Sequence, residues 1–525
     1  MSNYDKNKRI AGNTMMLFFR MFLMIFIGLF TSRIILQTLG KADYGTFNAV
    51  GGIIAFCSLM TGSVSAAITR FLTYSLGEGD VSKVHKVFSA SIIIQIFMCL
   101  VIGLIVETAG LWWLNGHMEI PEGRLGAAHW VLHCSLGILA VNLLSAPYNA
   151  MIVAHEKMSA FAFISILEAL LKLSVALSLM ASSFDKLKTF AVLMLAVSII
   201  VRMTYSMYCR HHFEEVKGAL VFDRELVREM SGFVGWNFFS SGTAVFTSSG
   251  INLLVNKYFG VLVNAARGVT GQVEGTVRPF AINFLNALNP QLTKSYAEGN
   301  KEYTFDLVRK GVKIASLLLI ALAIPIFLEC DYLLDLWLKD VPDYSVTFVR
   351  IAMICIVVDL GMNSPRQLIM SSGKIKVYCI IVGLLNILSF LASWLAFSLG
   401  ASPEWSYGIL VCLQLLVDVL CLTVCKIQED FHIGSFLRDV LLRIIIVAAL
   451  SLLSAYGVMG LMDRGFLRLV AVTFTSTAVL GVLSYFFALT KGERAFMVDS
   501  LNRILDKTRG RQDNGGNHFH DDMKV

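Results

Sequence analysis

Long apolar runs separated by short polar stretches fill most of the chain, and they do not alternate with period two. A helix needs about 20 mostly apolar residues to cross a bilayer, whereas outer-membrane barrel strands read as roughly 10-residue alternating segments. The pattern therefore predicts membrane helices. A window of about 19 residues places about 14 spans, centred near Ile25, Cys57, Phe97, Gly137, Leu171, Ala196, Thr243, Val277, Leu319, Val357, Leu385, Leu415, Ala449 and Phe474. The first span follows the basic "YDKNKRIAGN" and runs past Arg33. It is too long for the apolar region of a signal peptide and no small-residue cleavage site follows, so it is expected to stay as a membrane helix.

The hydrophobic pattern is written twice. "QTLGKADYG" around Gly40 and "KYFGVLVNA" around Gly260 lie 220 positions apart, each at the end of a span. At the same offset "FLTYSLGEGD" falls on "QLTKSYAEGN", with Leu72, Thr73, Ser75, Glu78 and Gly79 meeting Leu292, Thr293, Ser295, Glu298 and Gly299. "APYNAMIVAHEKMSAF" and "SPRQLIMSSGKIKVYC" align through Pro147 and Pro365, an offset of 218. An even number of spans separates equivalent points, so the repeat is parallel, about an axis along the membrane normal. The expected fold is all-α integral membrane, with about 14 transmembrane helices in two six-helix lobes plus an appended helix pair. The expected boundaries are an N-lobe with its linker at 1–230, a C-lobe at 231–430, the appended pair at 431–490, and a tail at 491–525, disordered towards its end.

Composition agrees: of 525 residues, 56% are hydrophobic and only 15% charged, against roughly 25% charged in soluble domains. Lys and Arg concentrate in alternate loops, from Lys6, Lys8 and Arg9, through Arg70, Lys83 and Lys86, to Lys374, Lys376, Lys426 and Arg438. The intervening loops are acidic or nearly neutral, as in "ECDYLLDLWLKDVPDYS". By the positive-inside rule both termini are cytoplasmic. The net charge of +7 follows from this asymmetry, and no nucleic-acid partner is expected. Ten scattered cysteines form no C-x-x-C, so neither a disulfide framework nor a metal site is expected. No G-x-x-x-x-G-K-[ST] occurs, which excludes a P-loop ATPase.

Charges inside spans carry the candidate chemistry, since each costs roughly 2.5 to 3.5 kcal/mol at the centre of a membrane helix. Arg267, Gly271, Glu274 and Arg278 fall at i, i+4, i+7 and i+11, within one stripe of a helix. That stripe is expected to line protein or a hydrated cavity. Gly271 and Gly275 form G-x-x-x-G, which predicts a close helix approach, and Pro279 predicts a kink. Arg20 is expected to face the cavity, with Arg33 and Lys257 nearer its mouth, making a cationic path suited to phosphate. The competing expectation is that each Arg snorkels or is neutralised by Glu274. Glu168 and Lys172, at i and i+4, are expected to pair, while Asp359 and Asp418 read as lone acids. Glu274, Asp359 and Glu168 are the candidates for coupling to Na⁺ or H⁺; no other cofactor is expected. His129 and His133 lack a third ligand for a metal. Asn237, Asn283, Asn286, Asn289 and Trp236 add the neutral hydrogen-bonding capacity that sugars need.

"SRIILQTLGKADYGTFNAV", "AAITRFLTYSLGEGD" and the segment from Asn252 to Gly299 resemble the oligosaccharide (O-antigen, Wzx-type) flippases of bacterial surface-polysaccharide assembly. These belong to the multidrug/oligosaccharidyl-lipid/polysaccharide exporter superfamily. The resemblance implies a multi-pass protein of the bacterial inner membrane that carries undecaprenyl-diphosphate-linked oligosaccharide from the inner to the outer leaflet. It also implies that the appended helices accommodate the polyprenyl tail, with membrane lipids and polysaccharide polymerase or ligase machinery as further partners. A monomer is expected. With the inside negative, outward movement of anionic charge gains about 2.3 kcal/mol per charge per 100 mV. Three alternatives stand beside this reading: a cation-coupled multidrug antiporter, a peptidoglycan lipid-precursor flippase, and a membrane glycosyltransferase or ligase. The last would need its catalytic residues in the acidic loop from Glu329 to Asp343.

Overall fold

In the computed structural model, residues 3–116, 120, 123–338, 340–490 and 492–494 are described. The expected disordered tail end lies outside them. Among these residues the chain is all-helical, without strands. The N-lobe comprises α1 (Asn3–Glu78), α2 (Val81–Ile105), α3 (Leu111–Gly116), α4 (Leu125–Ala154), α5 (Met158–Met180) and α6 (Lys186–His212). The C-lobe comprises α7 (Arg224–Ala297), α8 (Lys301–Leu328), α9 (Cys330–Trp337), α10 (Ser345–Gly361), α11 (Asn363–Ser372), α12 (Lys376–Ser398) and α13 (Trp405–Glu429). The appended part holds α14 (Ile433–Phe436), α15 (Leu442–Leu461) and α16 (Phe466–Leu483).

The duplication is visible in the backbone. α1 breaks at Gly40 (φ 75°, ψ 170°) and α7 at Gly260 (φ 84°, ψ 179°), 220 residues apart. Both torsion pairs suit a residue without Cβ, so equivalent glycines divide each long helix into two membrane-length halves. We call them α1a (3–40) and α1b (41–78), α7a (224–260) and α7b (261–297). The next turns repeat as well: Gly79 and Gly299 both take positive φ, and Asp80 and Asn300 cap α2 and α8 through their side chains, as short polar side chains do at helix starts.

Among the described residues twelve helical stretches are long and apolar enough to cross a membrane, against about 14 expected. The halves α1b and α7b, around Cys57 and Val277, are helical but are not among the twelve. In α7b, Arg267, Glu274 and Arg278 together with four asparagines hold the hydropathy down.

Two local expectations fail. A Cβ at Gly271 or Gly275 would meet nothing within 4 Å, so no helix packs on that G-x-x-x-G. The close approach occurs instead at Gly77, where a Cβ would lie 2.7 Å from Ala297 Cβ and 2.8 Å from the Lys294 carbonyl. Nor is there a torsional break at Pro279; the one in α7 is at Gly260, where a positive φ, rather than a missing donor, interrupts the helix.

The ends of α1b and α7b carry the Lys- and Arg-rich loops, and we call this side the basic face. There the lobes share one core that includes Phe71, Leu72, Leu292 and Leu368. Towards the other face the lobes have cores of their own, around Ala128 and Leu187 in one and around Ile251, Phe397, Ala266 and Phe348 in the other. The lobes are thus joined at the basic face. The appended pair rests on α8 and is anchored by Arg468, whose Nη2 donates to the buried Glu329 at 2.9 Å and whose Nε lies 2.8 Å from the same carboxylate as an ion pair.

Candidate functional site: a cavity between the lobes

Where the lobes part above the basic face they enclose a cavity of about 770 Å³, within the range of roughly 300–1,000 Å³ common for ligand sites. Its walls come from α1, α4, α5 and α6 on one side and from α7, α11 and α12 on the other. Amides and hydroxyls share most of the polar lining, the amides being Asn142 and Asn149 from the N-lobe, and Asn237, Asn286, Asn289, Asn363 and Gln367 from the C-lobe. Asn149 and Gln367 are equivalents at the 218-residue offset, so the duplication places one amide on each wall. The side-chain oxygens of Asn149, Asn289 and Asn363 and the Thr73 hydroxyl are buried without a hydrogen-bond partner. A buried amide oxygen left unpaired is costly, and a polyhydroxylated ligand would satisfy several of these at once.

Of the expected site residues, the structure brings Asn237, Asn286, Asn289 and Glu168 to the cavity. Asn237 also donates to the Ser63 carbonyl across the lobes at 3.4 Å. Arg20 stands at the cavity edge, its guanidinium 4.5 Å from the ring centroid of the lining residue Phe161 and its Nε buried without a partner. Glu168 pairs with Lys172 at 2.6 Å, as their spacing predicts.

The rest of the expected cationic path lies elsewhere. Arg267 is buried inside the C-lobe, donating to Asn252 at 2.7 Å and stacked 4.7 Å from the Tyr407 ring. Arg278 donates to Asp359 at 2.9 Å and lies 3.9 Å from Glu274. Arg267, Glu274 and Arg278 do share a face, but it turns into the lobe against α10 and α13, where Asp359 and Tyr407 wait. Arg33 and Lys257 are exposed, Lys257 lying 5.7 Å from the Tyr258 ring. Asn283 is buried, and Trp236 lines a separate small recess at the basic face.

Asp359 and Asp418 are not lone acids. Arg366, on α11, donates to Asp359 at 2.7 Å and to Asp418 at 2.8 Å, and its own edge forms part of the cavity wall. Sequence reading passed over Arg366 because it assigned the segment after Pro365 to the approach to a basic loop. A signal was present nonetheless: at the 218-residue offset Arg366 stands where the N-lobe has Tyr148. His133 Nδ1 donates to the Glu107 carboxylate at 2.9 Å, and His129 donates to the Leu125 carbonyl; among the described residues no metal-binding cluster is found.

Below the cavity the basic face is shut by contacts between the lobes. Arg70, from α1b, donates to the carbonyls of Met370 and Ser371 at 3.3 and 3.0 Å. Lys294, from α7b, pairs at 2.9 Å with the buried Glu156 of the α4–α5 loop. Beside that pair, His155 stacks on Phe213 at 4.1 Å. Burial, with Lys294 and Lys157 close by, pushes the His155 imidazole down to about 4.

No family model and no curated protein sequence matches the chain. Solved structures do. A MATE transporter in the bent conformation superposes with a TM-score of 0.71 at 12% identity, over 81% of this chain and 95% of that one. The straight conformation of MATE gives 0.70 at 11% identity, over 81% and 96%. A MOP superfamily transporter from Pyrococcus furiosus, described as having a binding pocket of reversed polarity, gives 0.67 at 12% identity, over 82% and 96%. The fold is therefore that of the MATE transporters of the MOP superfamily.

Proposed function

We propose that the chain is a carrier that moves polyprenyl-diphosphate-linked oligosaccharide from the inner to the outer leaflet of the bacterial cytoplasmic membrane, by alternating access to the cavity between its lobes. The amide lining with its unpaired oxygens carries this reading, because it offers hydrogen bonds to neutral hydroxyls on both walls. Arg20 and Arg70 supply positive charge without a carboxylate within salt-bridge distance among the described residues, which suits a phosphorylated headgroup. An apolar hollow of about 630 Å³ between α8 and α16, lined by Leu322, Ile326, Leu469, Val470 and Phe474, supports a place for the prenyl tail. Arg267 and Arg278 become, in this account, parts of the C-lobe frame instead of ligands.

The multidrug reading has the likeness to MATE transporters in its favour, one of them titled a multidrug resistance transporter. An organic cation would need an uncommitted acid, yet Glu168 is held by Lys172, and Asp359 and Asp418 by Arg366. An enzyme of the acidic loop has less to recommend it: Glu329, Asp331 and Asp335 are engaged by Arg468, Arg350 and Arg464.

Thermal stabilisation of the purified chain by a water-soluble oligosaccharide diphosphate tests the site. Ligand at about 100 times its Kd should stabilise by about 2.7 kcal/mol, and the double variant Asn149→Leu, Asn289→Leu should lose that stabilisation. Equal stabilisation of the variant, or stabilisation by ethidium instead, would remove the reading.

A further inference from the structure

The duplication makes one comparison possible that neither lobe offers alone. At the 218-residue offset the α4–α5 loop, with Glu156, corresponds to the α11–α12 loop, with Lys374. In the first, the cation from the opposite lobe, Lys294, meets the carboxylate of Glu156. In the second, the cation from the opposite lobe is Arg70, one helical turn before the position equivalent to Lys294, and the loop presents a lysine. Arg70 is 92% buried, with a relative exposure of 8%, and among the described residues its guanidinium is held by two backbone carbonyls and by the rings of Phe71, Tyr74 and Phe233.

Arg70, Lys374 and Lys376 line one recess of about 200 Å³ at the basic face, with Glu229 as its one carboxylate and Trp236 as part of its wall. Lys376 Nζ lies 5.4 Å from the Trp236 ring. The acid that balances the equivalent place in the N-lobe is missing, and three cations converge where one acid stands. Gly373 opens the recess to the guanidinium: a Cβ there would lie 2.6 Å from Arg70 Nη2.

We propose that this recess binds a phosphate or diphosphate group, and that the bound anion draws the Arg70 guanidinium from the carbonyls of Met370 and Ser371, releasing one of the contacts that shut the basic face. A dianion makes charge-assisted hydrogen bonds roughly twice as strong as neutral ones, so it outcompetes the carbonyls for the same donors. The site rests on the transport reading for one thing only, the source of the diphosphate: the headgroup of a prenyl carrier lipid arriving from the inner leaflet, or a free diphosphate.

The test uses the full chain in phosphatidylcholine nanodiscs, titrated with inorganic diphosphate at constant ionic strength, with sodium chloride as control and fluorescence as readout. A saturable change is expected that Trp236→Phe abolishes and that Lys374→Gln, Lys376→Gln shifts to at least about tenfold higher concentration. The double replacement by arginine should restore the midpoint, which a merely misfolded variant would not. Diphosphate should also raise thiol labelling of an Asn289→Cys variant from the basic side several-fold. No saturable signal, the same midpoint in the glutamine variant, or the same response to chloride would overturn the site; unchanged Asn289→Cys labelling would overturn the release of Arg70. Polyprenyl diphosphate in the disc distinguishes the sources. If it competes with inorganic diphosphate, the carrier lipid is the ligand; if it does not, the site takes the free anion. If the site binds diphosphate but the full chain moves no lipid-linked oligosaccharide, the site stands and the transport reading fails.

Discussion

Gly77 and Ala297 are each other's equivalents in the duplicated chain, 220 residues apart, and the two lobes meet at them backbone to backbone, with 2.7 Å between an ideal Cβ on Gly77 and Ala297 Cβ and 2.8 Å to the Lys294 carbonyl. Glycine at a helix crossing lets the backbones meet, and here the crossing lies on the repeat axis at the basic face. A larger side chain would force the ends of α1b and α7b apart. Overpacking of this kind costs about 1–3 kcal/mol, enough to shift a two-state equilibrium roughly 5- to 150-fold. Gly77→Leu is therefore expected to raise labelling of Asn289→Cys from the basic side by an impermeant thiol reagent, in a background without native cysteines. Labelling equal to that of Gly77 would show that this contact does not hold the face shut.

Arg366 bridges two acids, and of these Asp418 would otherwise be buried and unbalanced, since Asp359 also accepts from Arg278. Removing one partner of a buried ion pair costs on the order of 3–5 kcal/mol, largely through the charge left behind. Arg366→Gln should thus lower the melting temperature of the purified protein by several degrees. Adding Asp418→Asn should recover part of the loss, because Asp359 keeps Arg278. A double variant no more stable than the single one would contradict this account of the network.

The stack of His155 on Phe213 gives the closed basic face a pH dependence. The folded imidazole sits at about 4, against an ordinary value of 6.5, so the folded state binds the proton less readily than the unfolded one. Its contribution is fully present above about pH 6.5, shrinks as pH falls below that, and is gone by about 4. Amide protection factors in residues 155–157 and 213–216, corrected for the pH dependence of intrinsic exchange, should therefore fall between pH 6.5 and 5, and His155→Phe should flatten the profile. A step of equal size in the variant would assign the effect to another group.

The duplication was legible because it survives in short identities and in the paired glycines Gly40 and Gly260, which read in the sequence as the ends of spans and stand in the structure as breaks within α1 and α7. Periodicity also put Arg267, Glu274 and Arg278 on one face correctly. What faces a stripe is a different matter: Asp359 and Tyr407 come from helices far along the chain, and nothing local announces them. The same gap hid Arg366 as the partner of two acids that look solitary in one dimension. G-x-x-x-G at Gly271 and Gly275 marked a place where a helix could approach, but the lobes meet at Gly77, which has no such motif. Four of the asparagines that line the cavity come from three helices far apart in the chain, Asn142 and Asn149 from α4, Asn289 from α7b and Asn363 from α11, and of these only Asn289 stood out beforehand.

The central claim is that lipid-linked sugar crosses the membrane through the amide-lined cavity. Its most direct measurement is leaflet exchange in sealed vesicles containing the full chain and a fluorescent prenyl-diphosphate oligosaccharide, with an impermeant quencher outside and an inside-negative potential imposed. Quenching should pass beyond the fraction initially exposed, more slowly in Asn149→Leu, Asn289→Leu vesicles and not at all in protein-free ones. Quenching that stops at the protein-free level, while ethidium moves across the same vesicles, would contradict the account.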